Sequence, residues 1–327
     1  MSRGSAIRTG LARAITIAAL AGSGIVSGQS ARVQEMRQTP QRADALVAQL
    51  GAGFSSGRAR VNGITLYYVR GGSGPALILI HGFPEDWYEF HRVMPILARR
   101  FTVIAVDLRG VGLSDATAGG YDAANLAEDI RQLAVQLELD RPYIVGHDIG
   151  AMVAYAFARS YPQLARGAMI IDAPLAGIGP WQEIKADPMV WHVYFHQVPG
   201  LAEKLVAGRQ ATYFGYFLNP AIFSDAELAH YAASYGDADH LRAAFEFYRA
   251  FPADEVFDQT HNSPTDLPLV LAAGETSPLN KFVPRLAEAM REHGCENVKT
   301  DVVLNSSHYV ADQQPEAVAA MIERYAQ

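Results

Sequence analysis

The sequence predicts an α/β fold: a mostly parallel sheet with helices on both faces and a helical lid inserted into it. Three observations carry this expectation. Strand-like and helix-like segments alternate from about Arg58 onward. Several of the strands are continuous apolar runs, the mark of strands buried on both faces. One stretch, from about Leu175 to Ser263, breaks the rhythm with aromatic-rich helical spacing and no convincing strand. Strands separated by helices imply parallel pairing, because a crossover helix returns the chain to the same edge.

Taken in order, Ile64–Val69 alternates as a strand does, and Gly71, Gly72 and Gly74 then turn the chain. Ala76–Ile80 is apolar throughout and reads as a buried strand, Tyr88–Ala98 has helical spacing, and Phe101–Val106 reads as a second buried strand. Ala123–Leu137 is an amphipathic helix with Leu126, Ile130, Leu133 and Leu137 on one face. A short strand at Tyr143–Val145, a helix at Gly150–Ser160 and a strand at Ala168–Ile171 follow. The lid shows helical spacing around Val190–His196, Leu201–Leu218 and Ala226–Ala250. Alternation resumes with a strand at Leu267–Ala272, a helix at Val283–Arg291, a strand at Val298–Leu304 and a helix at Glu316–Tyr325. The expected organisation is a core of residues 31–174 and 264–327 with a lid of residues 175–263 inserted between them.

Bulk properties narrow the function. Half of the 327 residues are hydrophobic and 19% are charged, the balance of a soluble globular protein. A net charge of -7 without a basic stripe argues against a nucleic-acid partner. Cys295 is the single cysteine, so no internal disulfide is expected. Arg3, Arg8 and Arg13 precede an apolar run from Ala14 to Val26, and the small residues Ser27, Gly28 and Ser30 follow. That order reads as a secretory signal peptide over residues 1–30, hence an exported protein; a disordered tail is the plainer alternative. The run is too short and too rich in glycine for stable membrane insertion.

The strongest chemical signal is Gly146-His147-Asp148-Ile149-Gly150, between a buried strand and a helix. A nucleophile on such a sharp turn stands above the sheet, and the turn needs small residues on either side. Here the nucleophile position holds Asp148, and the Ile149 amide at the helix N-terminus is a candidate oxyanion donor. An aspartate N-cap on an ordinary turn would look similar. His81-Gly82-Phe83-Pro84 follows the first buried strand and offers the Phe83 amide as the second donor. Asp107 to Asp115 lacks the spacing of a dinucleotide loop and is expected to pack the loops beneath the site. His308 follows the last strand, which completes the chain order nucleophile, acid, histidine. For the acid, Asp172 follows the strand at 168–171 and Glu275 the strand at 267–272; the family resemblance that these motifs carry makes Asp172 the choice and Glu275 the fallback, because it implies an aspartate where Ser277 stands.

With these motifs the chain, from about Gly57 onward, resembles the epoxide hydrolase and dehalogenase branch of the α/β-hydrolase family. The resemblance implies an α/β-hydrolase fold and an Asp148 nucleophile that forms an alkyl ester, which water activated by His308 then hydrolyses. A carboxylate suits this, being ionised at neutral pH without help from a base. Phe245-Glu246-Phe247-Tyr248-Arg249 resembles the segment that carries one lid proton donor, which places it on Tyr248. The segment around Trp191-His192 resembles the one that carries the other, with His192 at that position. A His/Tyr pair with Ile149 after the nucleophile is similar to the Cif-like subgroup of secreted epoxide hydrolases. The resemblance implies a small epoxide and water as the reactants, no cofactor, and a chain that can form a homodimer. His192 and His196 lie four apart, yet no third ligand suggests itself and no metal is expected.

Three rival functions remain. Haloalkane dehalogenases clamp the halide with an indole directly after the nucleophile, where this chain has Ile149. Fluoroacetate dehalogenases also carry a His and a Tyr in the lid, but they grip the substrate carboxylate with arginines just after the nucleophile, where this chain has Ile149 and Met152. A binding protein of this fold without catalysis would leave the intact motif set without a purpose.

Overall fold

In this computed structural model the described residues are 37–327, so the expected signal peptide at 1–30 lies outside them. Eight strands form one sheet: β1 (Phe54–Val61), β2 (Ile64–Gly71), β3 (Ala76–Ile80), β4 (Thr102–Val106), β5 (Tyr143–His147), β6 (Gly167–Ile171), β7 (Leu269–Gly274) and β8 (Val298–Val303). Their order is β1-β2-β4-β3-β5-β6-β7-β8. The β1–β2 and β2–β4 pairs are antiparallel and the other five are parallel. Every residue of β3, β4, β5, β6 and β7 is buried. That is why these strands read as unbroken apolar runs, since both faces are covered. One apolar layer packs the helices Ala123–Gln136 and Ile149–Ser160 on the sheet. The opposite layer packs Pro40–Gln49 and Pro315–Tyr325. No helix of the described residues is long and apolar enough to cross a membrane.

Several segments differ from the sequence expectation, each for a local reason. β1 begins at Phe54, before the expected onset of regular structure; only Ala59 and Val61 of it are buried, so its apolar pattern is faint. The single helix expected over Tyr88–Ala98 is a 3-10 turn, Trp87–Phe90, followed by a four-residue helix, Met94–Leu97. Pro95 cannot donate inside a helix and sits instead in the first turn of the second piece. The expected helix over Leu201–Leu218 is broken at Gly208, whose φ is 75°, into Leu201–Val206 and Gln210–Phe214. The pattern over Ala226–Ala250 divides into Asp225–Ser234 and Ala238–Arg249, and Asp237 caps the second by accepting from the amides of Asp239 and His240. Trp181–Lys185 and Phe251–Thr260 are further helices of this region. β7 starts two residues later than expected, after Pro268.

Between β6 and β7 the chain is thus helical, and it returns over the edge where the parallel strands end. Loops after strands at that edge are where ligands bind in open α/β sheets. Beneath it, the buried Asp107 carboxylate accepts from the amides of Trp87 at 3.1 Å and Leu113 at 2.9 Å. This ties the loop after β4 to the loop after β3, the structural role expected of the Asp107–Asp115 stretch.

Candidate active site

Asp148 occupies the turn between β5 and the helix Ile149–Ser160, with φ 49° and ψ −120°. Such a backbone costs on the order of 1–3 kcal/mol for a residue with a side chain. It is held by its surroundings: the Asp148 amide donates to the Ile171 carbonyl at 3.1 Å. The flanking glycines explain the motif. A Cβ on Gly146 would lie 2.0 Å from the Gly150 carbonyl oxygen, and one on Gly150 would lie 2.2 Å from that of Ile80. Neither contact is sterically admissible, so any larger residue would push the helix off the strand end.

The Phe83 amide donates to Asp148 Oδ2 at 2.9 Å. The second carboxylate oxygen, Oδ1, accepts no hydrogen bond among the described residues. The Asp148 carboxylate is therefore oriented by one oxygen with the other available. Ile149 follows directly at the start of the helix and lines the same cavity.

His308 Nδ1 lies 2.9 Å from Asp172 Oδ1. Asp172 has a completely buried side chain. Asp172 has a left-handed backbone, φ 48°. Its Oδ2 accepts from the Gly274 amide at 2.8 Å, and Oδ1 also accepts from the Ser277 hydroxyl at 2.6 Å. The serine that stands in the later loop therefore serves the acid of the earlier one. Glu275, the fallback, accepts from the Asn305 amide at the surface instead.

His192 and Tyr248 face each other across the same cavity, ring centroids 5.6 Å apart, with Phe83 5.4 Å from Tyr248. The cavity is about 200 Å³, and Asp148, His308, His192 and Tyr248 all line it. Most of its remaining wall is apolar: Phe83, Ile149, Met152, Trp181, Phe217 and Phe251. Burial pulls the His192 pKa down to about 4, against the opposing pull of Asp148. The ring is therefore neutral at neutral pH and donates through one nitrogen. Burial, and then the Asp148 charge, push Tyr248 well above the usual tyrosine value, so it keeps its proton. Of the other lid tyrosines, Tyr235 donates to the Glu85 carbonyl at 2.9 Å, Tyr213 pairs with His196 at 2.5 Å, and Tyr194 is 52% exposed. A second hollow of about 580 Å³, between Asp237–His240 and the loop at 112–117, contains none of the candidate catalytic residues.

One part of the site was missed by sequence reading. Glu89 Oε2 accepts from the Gly82 amide at 2.8 Å, and its Oε1 lies 3.1 Å from His147 Nδ1. His147 Nε2 in turn lies 2.9 Å from the His308 carbonyl oxygen. The two nitrogens of His147 thus lie near a carboxylate on one side and a carbonyl on the other. Burial opposes a charge on the ring, but Glu89, with Asp148 and Asp172 behind it, pushes the His147 pKa up to about 9. Nearby, burial and the carboxylates around it hold Glu85 well above the usual range, and Asp312 is pushed up to about 8. Only His147 carried a sequence signal, its place beside Asp148; Glu89 carried none.

Comparison with known proteins identifies the family and the fold. Residues 75–315 match the alpha/beta hydrolase fold family. A soluble epoxide hydrolase from Corynebacterium sp. (strain C12) is 32% identical over 276 residues, covering 80% of this chain and 93% of that protein. A fluoroacetate dehalogenase from Burkholderia sp. is 33% identical over 214 residues, covering 61% of this chain and 69% of that one. The crystal structure of wild-type Cfl2 from Burkholderia cenocepacia superposes with a TM-score of 0.77 at 30% identity, covering 89% of this chain and 99% of its own.

Proposed function

The chain belongs to the alpha/beta hydrolase fold family, in its epoxide hydrolase and dehalogenase branch, and on that premise we propose that it is an epoxide hydrolase acting through an ester on Asp148. The observation that carries this reading is the pair of neutral proton donors, His192 and Tyr248, lining the same cavity as the oriented carboxylate. Opening an epoxide leaves negative charge on an oxygen that must take up a proton, which these donors supply; a departing halide accepts hydrogen bonds but needs no proton.

In the proposed first step Asp148 Oδ1 attacks a ring carbon and the ring C–O bond breaks. The new alkoxide takes the Tyr248 proton while His192 holds it by a hydrogen bond. In the second step His308 removes a proton from water, whose oxygen attacks the ester carbonyl carbon. The amides of Phe83 and Ile149 hold the resulting oxyanion. Collapse expels the diol oxygen, which takes the proton from His308. The regenerated carboxyl returns its proton to the Tyr248 oxygen, so the cycle closes on epoxide plus water giving diol. Asp172 fixes the tautomer of His308 by accepting from Nδ1–H.

A haloacetate dehalogenase with the same nucleophile is the second reading, favoured by the Burkholderia relative. One experiment separates the two and tests the intermediate. In single turnover in oxygen-18 water, an epoxide should yield unlabelled diol and protein labelled at Asp148. Label in the first diol refutes the ester. Fluoride release from fluoroacetate without any epoxide opening transfers the assignment to the second reading.

A further inference from the structure

One cation lines the cavity among the described residues, Lys185. Its ammonium lies 2.8 Å from Glu255 Oε1, and the Trp181 indole N–H donates to that same oxygen at 2.6 Å. Lys185 also sits over the Trp181 ring, 5.2 Å from its centroid. Glu255 is thus held by a wall residue of the cavity and in turn holds the lysine. Its carboxylate lies below the usual pKa range, chiefly because these two donors outweigh its burial.

From this arrangement we propose that Glu255 sets the charge selectivity of the site: by neutralising Lys185 it makes the cavity one for small, uncharged epoxides. The inference rests on the epoxide reading above. An anionic substrate entering the cavity would meet the Asp148 carboxylate and neutral His192, with the ammonium already engaged. The size fits the same class. About 200 Å³ is room for roughly seven water volumes, below the usual range for drug-sized ligands.

The test compares 1,2-epoxybutane with glycidate, which are close in size and differ by one carboxylate. The quantity read is the ratio of kcat/KM for the two within each variant, so a general loss of activity cancels. Wild type should prefer epoxybutane. Glu255→Gln keeps an oxygen for Trp181 but removes the charge, and should move the ratio toward glycidate by about tenfold; the pair is partly exposed, which limits the effect. Adding Lys185→Met to Glu255→Gln should cancel the shift. A wild type that prefers glycidate, or an unchanged ratio in Glu255→Gln, overturns the proposal while leaving the epoxide reading standing. A wild type that opens neither epoxide overturns both.

Discussion

Replacing Asp172 by asparagine keeps the shape of the side chain and changes only what it can accept. The carboxylate receives three donors: the Gly274 amide on Oδ2, and the Ser277 hydroxyl and His308 Nδ1 on Oδ1. An asparagine has one acceptor oxygen and one NH2. The Gly274 amide is rigid and cannot turn away, so the oxygen must face it. The NH2 then faces Ser277 and His308. Ser277 can rotate its hydrogen aside, but His308 can only accept at Nδ1 by moving its own proton to Nε2, the nitrogen that should take a proton from water. Loss of the correct tautomer in a hydrolytic triad costs about 1,000- to 10,000-fold, or about 4–5.5 kcal/mol of barrier. Ester formation needs no base, so only the second step should slow. Rapid mixing of Asp172→Asn with a chromogenic epoxide should give a stoichiometric burst, and intact-protein mass should rise by the mass of the epoxide. Glu275→Gln should turn over normally. Wild-type turnover by Asp172→Asn, or ester accumulation in Glu275→Gln, would refute the assignment of the acid.

Three further expectations follow from the same geometry. Tyr248→Phe removes a hydroxyl and keeps a buried ring, so ester formation should slow by about 100- to 1,000-fold while far-UV circular dichroism is unchanged; full activity would move the donor elsewhere. His192 binds its proton at about pH 4 in the folded chain against 6.5 ordinarily, so between these values the unfolded chain holds more protons and folding weakens as pH falls. His192→Phe should therefore be less sensitive to acid than wild type, by about 2 kcal/mol between pH 7 and 4.5 in urea titrations; parallel curves would refute the burial argument. We propose export through residues 1–30, and expression of the whole chain in a Gram-negative host should yield a periplasmic protein whose N-terminus follows Gly28 or Ser30; a cytoplasmic product retaining Met1 would refute it.

What could be read ahead of the structure depended on whether the signal was local. Asp148 was legible because its turn requires Gly146 and Gly150 at fixed spacing, and the clashes at both positions show why. The buried strands were legible because burial on both faces leaves no polar alternation to confuse. The lid was legible as helical but not in its breaks. Helical spacing continues through Gly208 and Gly236; the positive φ of Gly208 breaks the first pattern, and the Asp237 cap starts a new helix after Gly236. Asp172 was chosen by an indirect route, through the family resemblance and the serine at 277, and the structure puts it 2.9 Å from His308 Nδ1. The sequence did not reveal that Ser277 would bind that acid, because the two are 105 residues apart.

Distance in sequence also hid the Glu89–His147 pair, and its placement has a chemical consequence. Three loops must stay in register for the proposed reaction: the one with the Phe83 amide, the turn with Asp148, and the one with His308. They follow three different strands, β3, β5 and β8. Glu89 grips the first through the Gly82 amide, His147 is covalently part of the second, and His147 Nε2–H reaches the third at the His308 carbonyl. The His147 ring hydrogen-bonds the His308 carbonyl through Nε2 and lies with Nδ1 3.1 Å from the Glu89 carboxylate. A carboxylate this close favours positive charge on the buried ring. The pair therefore links side chains outside the cavity wall to the loops that carry the groups inside it.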